Sequence, residues 1–152
     1  MPPPLPPTLS ALSVRQPWAG LIIAGVKRIE VRSWLTTHRG PLLIHAAKIR
    51  DERPEVERWV TPALRPICAI SGGVIGLVEL IDCLEYRRAA EFEADQLLHR
   101  NAPAWFRPGA TFGFRLARPV AIPFHSCPGQ TRFFNVTGVE LPPIIFPPEM
   151  AP

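Results

Sequence analysis

Three charged side chains fall close together in the first third of the chain, in the pattern Gly25-x-Lys27-x-x-Glu30-x-Arg32. Lysine is scarce here, two residues against fifteen arginines, so Lys27 and Lys48 stand out. Glu30 and Arg32 sit two apart in an alternating stretch and share one strand face, about 6–7 Å apart. A cation, an anion and a second cation on one wall of a concavity suit phosphate. Lys27 and Arg32 would bind it while Glu30 holds Arg32 or accepts from a base edge. If the site is catalytic, Lys27 would activate water or hold a leaving group, with Glu30 or His45 as general base. A lysine base would need burial to lower its pKa.

Other residues join this candidate set. Arg15 and Gln16 precede a helix start, where backbone N–H groups favour an anion. Trp18 falls on an apolar helical stripe and reads first as core, second as a stacking surface. Trp34 ends the strand beside Arg32, where stacking on a base is the better reading. Arg39, with His38, and Lys48 are candidate rim contacts to phosphate. His45 lies in a buried strand, where a satisfied histidine is the default and a titrating base the alternative. Asn135 could read a base edge. Glu79 and Asp82 interrupt an apolar strand and need cationic partners, with Arg115 and Arg132 as candidates.

The elements that must position these groups follow from periodicity and punctuation. Leu9–Val14 alternates as a first strand. Pro17 and Gly25 bracket a two-turn helix with Trp18, Leu21 and Ile22 as its buried stripe. Arg28–Leu35 alternates strictly, placing Arg28, Glu30, Arg32 and Trp34 on one face. Pro41–Ala47 is a buried strand, Asp51–Val60 a surface helix, and Val74–Leu84 the longest apolar strand, hence central. Glu85–Arg100 reads as helical with Ala89, Phe92, Leu97 and Leu98 buried. Thr111–Leu116, Arg118–Pro123 and Arg132–Val136 complete the strands. Regular βαβ alternation is missing, so the expected class is mainly β with short helices (α+β), a small mixed barrel with a ligand cleft.

Composition bounds the rest. The 152 residues suffice for one domain with its own core. Of 20 prolines, ten fall within residues 1–7 and 142–152. The expected division is therefore a Pro-rich tail at 1–8, a domain at 9–141 and a second tail at 142–152. The net charge of +4 is uneven. Residues 12–50 carry seven basic groups and one acid, residues 51–95 five and ten, and residues 96–135 five and none. Two basic segments meeting in space would form a phosphate-binding face. Cys68, Cys83 and Cys127 are odd in number and widely spaced, so neither a zinc site nor a disulfide framework is expected. The N-terminal MPPPLPP lacks a signal-peptide pattern, and no apolar run approaches a membrane span. The expected setting is cytoplasmic, with no cofactor, no metal and no membrane.

The hallmark octet resembles that of the ASCH domain, a PUA-like module, whose signature is G-x-K-x-x-E-x-R. The likeness extends to Gln16-Pro17-Trp18-Ala19, Arg39-Gly40, Ala46-Ala47-Lys48, the strand Ile75–Leu84 and the closing region from Pro123 to Phe134. The resemblance covers Leu9–Val139. It implies a PUA-like β-barrel with a cleft lined by the hallmark residues, and binding of RNA or single-stranded nucleic acid, with duplex DNA a second candidate partner. It implies other activities too. Some bacterial members hydrolyse N4-acetylcytidine with a Lys, a Thr three residues later and a distal acid, others are linked to RNA cleavage, and in transcription coactivators the domain is an accessory module. Here Lys27 matches, but Glu30 occupies the Thr position. Glu91 and Glu93 are the candidates for the distal acid.

Overall fold

A computed structural model of the chain describes residues 7–142. The Pro-rich ends expected from the sequence lie outside the described residues apart from Pro7, Thr8 and Pro142, and Thr8 already opens the first strand. The strands are β1 (Thr8–Val14), β2 (Ile29–Arg32), β3 (Gly40–Ala46), β4 (Gly73–Glu85), β5 (Phe112–Ser126) and β6 (Phe133–Thr137). They form one sheet in the order β2-β5-β4-β3-β1-β6, curled into a half-barrel. β1 and β3 pair in parallel, and all other neighbours are antiparallel.

Alternation along the strands serves two cores, one on each face of the sheet. Leu12, Val14, Leu42, Ile44, Val78 and Leu80 pack on one side with helix α1 (Trp18–Ile23). Ala11, Leu43, Val74, Leu77, Phe134 and Val136 pack on the other. The helix is buried on every side, more than the stripe of Trp18, Leu21 and Ile22 expected. Gly20 makes this possible. A Cβ there would stand 2.7–2.9 Å from Sγ, Cα and N of Cys68, so the helix approaches that segment as only glycine allows.

The helix end then fixes the first functional residue. Gly25 turns the chain at φ +79°. The N–H groups of Val26 and Lys27 both donate to the Leu21 carbonyl at 3.0 Å. The backbone of Lys27 is thus fastened to α1 before β2 begins.

Several expected elements differ. Residues 54–59 form a 3₁₀ turn (Pro54–Trp59) rather than a surface α-helix. The expected strands at 111–116 and 118–123 are a single strand, β5. Arg118 has φ +53° and the ladder to β4 shifts register there, so the apparent break is a bulge within one strand. β4 runs to Glu85, and the helical stretch after it divides into α2 (Ala89–Ala94) and α3 (Gln96–His99). Its buried residues are Phe92 and His99, whereas Ala89 and Leu97 face solvent and Leu98 is half-buried. Among the described residues, no helix is long and apolar enough to cross a membrane.

Candidate functional site

A cleft of about 870 Å³ opens where the end of β1, the later part of β2, the end of β3 and the loop at 127–131 converge. Lys27 forms its floor, but not as a turn lysine aimed at a ligand. The side chain is almost wholly buried. Its Nζ donates to the His99 carbonyl oxygen and to Asn101 Oδ1 at 3.1 Å, and faces Glu30 Oε1 at 3.6 Å. The ammonium also lies 4.7 Å from the ring centre of Trp18. Burial pushes its pKa down to about 8, with Glu30 opposing the fall and Arg32 and Arg100 adding to it.

Glu30 links this lysine to Arg32, as the i, i+2 spacing suggested. Its Oε2 accepts from Arg32 Nε at 3.0 Å and lies 2.8 Å from Nη2. Arg32 Nη2 also donates to the Ser13 carbonyl at 2.8 Å, tying β2 to β1 across the cleft. Lys27, Glu30 and Arg32 therefore form one connected charged floor in which a single carboxylate bridges two cations.

The walls add further groups. His45 is buried and bonded at both nitrogens, Nδ1 to Ser13 Oγ at 2.9 Å and Nε2 to the Cys127 carbonyl at 2.8 Å. This is the satisfied-histidine arrangement expected by default. Trp18 is buried, as its core reading requires, and donates through Nε1 to Asp51 Oδ2 at 2.8 Å. Asp51 is in turn paired with Arg53, whose guanidinium lies 3.4 Å from the ring centre of Trp105. Burial raises the Asp51 pKa, but the Arg53 and Trp18 hydrogen bonds outweigh it and bring the carboxyl down to about 2. Arg15 and Lys48 stand exposed on the lip. Among the described residues, neither side chain has a hydrogen-bonded or ion-paired partner. The lining thus holds five cations (Arg15, Lys27, Arg32, Lys48 and Arg53) against two carboxylates (Glu30 and Asp51). The first basic segment of the sequence lines the cleft through residues 13–49, whereas the second reaches it only through Asn101 and the 127–131 loop and places none of its arginines there, so the expected meeting of two basic segments is not what makes the lining positive.

Of the residues singled out from sequence, the structure gathers Arg15, Trp18, Lys27, Glu30, Arg32, His45 and Lys48 around the cleft. Gln16, Trp34, His38, Arg39 and Asn135 lie outside its lining. Gln16 is buried, its amide nitrogen donating to the Ile67 and Ile70 carbonyls and its oxygen accepting the Gly20 N–H, so its polar atoms are occupied in folding. Trp34, two residues past the end of β2, packs edge-on against Phe114 and Phe133 at 5.0 and 5.1 Å, with the Arg132 guanidinium 4.9 Å from its ring centre. Arg39 donates to the Thr36 and His38 carbonyls and faces Asp82 at 3.7 Å. The pairings expected for the acids on β4 are likewise different, since Glu79 meets Arg118 and Asp82 meets Arg39. Asn135 is exposed on β6 opposite Ser10. Glu91 caps α2 by accepting from the Arg87 and Arg88 N–H groups, and Glu93 is exposed on that helix; neither lines the cleft.

Ser13, Asn101, the His99 carbonyl, Asp51 and Arg53 belong to the site and carried no local signal. His99 is buried and stacked on Phe92 at 4.0 Å, and desolvation pushes its pKa down to about 4. Among the described residues, no group of three His, Cys, Asp or Glu side chains could hold a metal, and Cys68, Cys83 and Cys127 are free thiols.

Comparison with known proteins adds a family to this geometry. The family model described as the ASCH domain matches residues 12–123. Activating signal cointegrator 1 of Homo sapiens is 40% identical over 103 residues, covering 62% of this chain and 18% of its own. The same-named protein of Mus musculus is 43% identical over 88 residues, covering 53% and 15%. The chain therefore spans less than a fifth of the length of these curated relatives. The crystal structure of ASCH from Zymomonas mobilis superposes with a TM-score of 0.55 at 15% identity, covering 77% of this chain and 72% of that one. A point-mutant form of that protein gives the same score and identity with 74% of its chain covered.

Proposed function

This chain belongs to the ASCH domain family, and from that premise we propose that its cleft binds nucleic acid, as RNA or single strands. The observation that carries this reading is the pair of cations without a partner among the described residues, Arg15 and Lys48, on the lip of a cleft whose other charged side chains are engaged in ion pairs. Phosphates meet the lip, where each contact releases counterions. The concavity takes a splayed base or nucleotide, and its volume lies in the range of small-ligand pockets. Duplex DNA fits less well, because the described helices have six residues or fewer and none is built to lie in a major groove. Free thiols accord with a reducing, cytoplasmic setting. The test is a fluorescence-anisotropy titration of labelled single-stranded RNA and DNA at 50 and 200 mM salt. With two phosphate contacts on the lip, affinity should fall by about tenfold between the two. Absence of salt-dependent binding to either strand would sink the reading.

A second reading is a hydrolase acting on RNA or a modified nucleoside. One observation favours it: Lys27, at the cleft floor, has a pKa lowered to about 8 by burial, near the range of a general base. Against it, Glu30 stands at the Thr position of the amidohydrolase pattern, and Glu91 and Glu93 are on α2 outside the cleft. Turnover of RNA or N4-acetylcytidine by the wild type and by Lys27→Ala decides it. Equal rates would remove Lys27 from any catalytic role.

A further inference from the structure

Ser13 and His45 are partners in the parallel register of β1 and β3, and strand binding at the lip does not need their side-chain arrangement. His45 Nε2 lies 2.8 Å from the Cys127 carbonyl oxygen. A carbonyl only accepts, so in the neutral ring Nε2 carries the proton and Nδ1 presents its lone pair. Ser13 Oγ, 2.9 Å from Nδ1, therefore donates its hydroxyl proton to the imidazole. Hydroxyl, imidazole and orienting acceptor follow one another as nucleophile, base and positioning group do in acyl-transfer sites.

The surroundings support the same chemistry. His45 is 2% exposed and held at both nitrogens, so its ring has one orientation, while Ser13 is half-buried and lines the cleft. Arg32 donates to the Ser13 carbonyl at 2.8 Å, which fixes the backbone that carries the hydroxyl. Gly129 completes the arrangement. A Cβ there would stand 2.7 Å from Ser13 Oγ and 2.8 Å from His45 Cε1, so any side chain at 129 would crowd the pair.

We propose that Ser13 is a nucleophile activated by His45, and that the cleft takes a carboxylic ester borne on a phosphate-bearing molecule. The phosphate requirement rests on the anion-binding reading of the cleft, and the dyad does not. Ser13 Oγ bonds to the acyl carbon as its proton passes to Nδ1. The carbon–oxygen bond to the leaving alcohol then breaks, and that alcohol takes the proton from Nδ1. Water attacks the acyl-serine in the same way, releases the acid and restores the hydroxyl.

The test is covalent capture. The full chain is incubated with phenylmethylsulfonyl fluoride and mapped by peptide mass spectrometry. One adduct, on Ser13, is expected, with none in Ser13→Ala. In His45→Gln the amide retains a donor and an acceptor but takes no proton, so labelling should slow by at least about 100-fold while the melting temperature stays near wild type. A wild type without adduct, an adduct elsewhere, or His45→Gln labelled at the wild-type rate would overturn the dyad. A second arm compares hydrolysis of O-acetylated adenosine monophosphate with O-acetylated adenosine. Faster turnover of the phosphorylated ester is expected, and equal rates would overturn the phosphate requirement. Failure to bind nucleic acid in the salt titration would leave Ser13 labelling intact, so the two proposals fail separately.

Discussion

Lys27 acts at the residue scale by a charge held just inside the protein. Its neighbours are Trp18, the Glu30 carboxylate, the His99 carbonyl and Asn101, with Arg32 and Arg100 further repelling it. Folding lowers its pKa from 10.5 to about 8, burial being the largest cause. Between those values the unfolded chain binds more protons than the folded one. The cost of burying the ammonium is therefore in force below about pH 8 and is relieved as pH rises toward 10.5. Urea denaturation should show stability rising across that window by up to about 1.4 kcal/mol per pH unit, and Lys27→Met should lose this rise. Strand affinity should move the other way, falling as pH passes about 8 because the floor loses a positive charge. A flat stability profile in the wild type would mean that the amine is solvated in solution.

At the scale of elements, the site depends on how α1 hands the chain to β2. The Pro17 and Gly25 punctuation announces the helix, and strict alternation announces β2 together with the shared face of Glu30 and Arg32. The same alternation has no means of showing that the ladder to β5 ends at Arg32, two residues before Trp34. His99 and Asn101, which hold Lys27, lie more than seventy positions along the chain. Their backbone and amide oxygens have no sequence pattern, so only the tertiary fold reveals them. The same is true of Ser13 beside His45, joined by a parallel pairing that needs an intervening crossover. Gly20 makes a measurable prediction here. Gly20→Ala would drive a methyl into the Cys68 backbone and should cost about 1–3 kcal/mol by thermal or urea denaturation. Full stability in that variant would show that α1 is free to move away from the 67–69 turn.

Across the whole molecule, an uneven line of charge becomes a surface. The cations of the cleft come from residues 15–53, brought by β1, β2, β3 and the stretch after β3, whereas residues 96–135 supply Asn101 and the 127–131 loop to the lining but none of their five arginines. The acidic middle largely points away, contributing only Asp51, Arg53 and Gly72 to the lining. Net charge alone would not locate this. Its effect depends on which cations remain uncompensated, and those on the lip are Arg15 and Lys48. The most direct measurement is therefore the salt dependence of single-stranded RNA affinity for wild type and for Arg15→Glu with Lys48→Glu. Arg65→Glu with Arg107→Glu, both exposed and outside the cleft, makes the same change in net charge and serves as the control. The double variant should bind more weakly at low salt, with a log–log salt slope shallower by about two, one for each lost phosphate contact, while the control stays near wild type. An unchanged slope in the double variant, or an equal loss in the control, would contradict a phosphate-binding lip on this cleft.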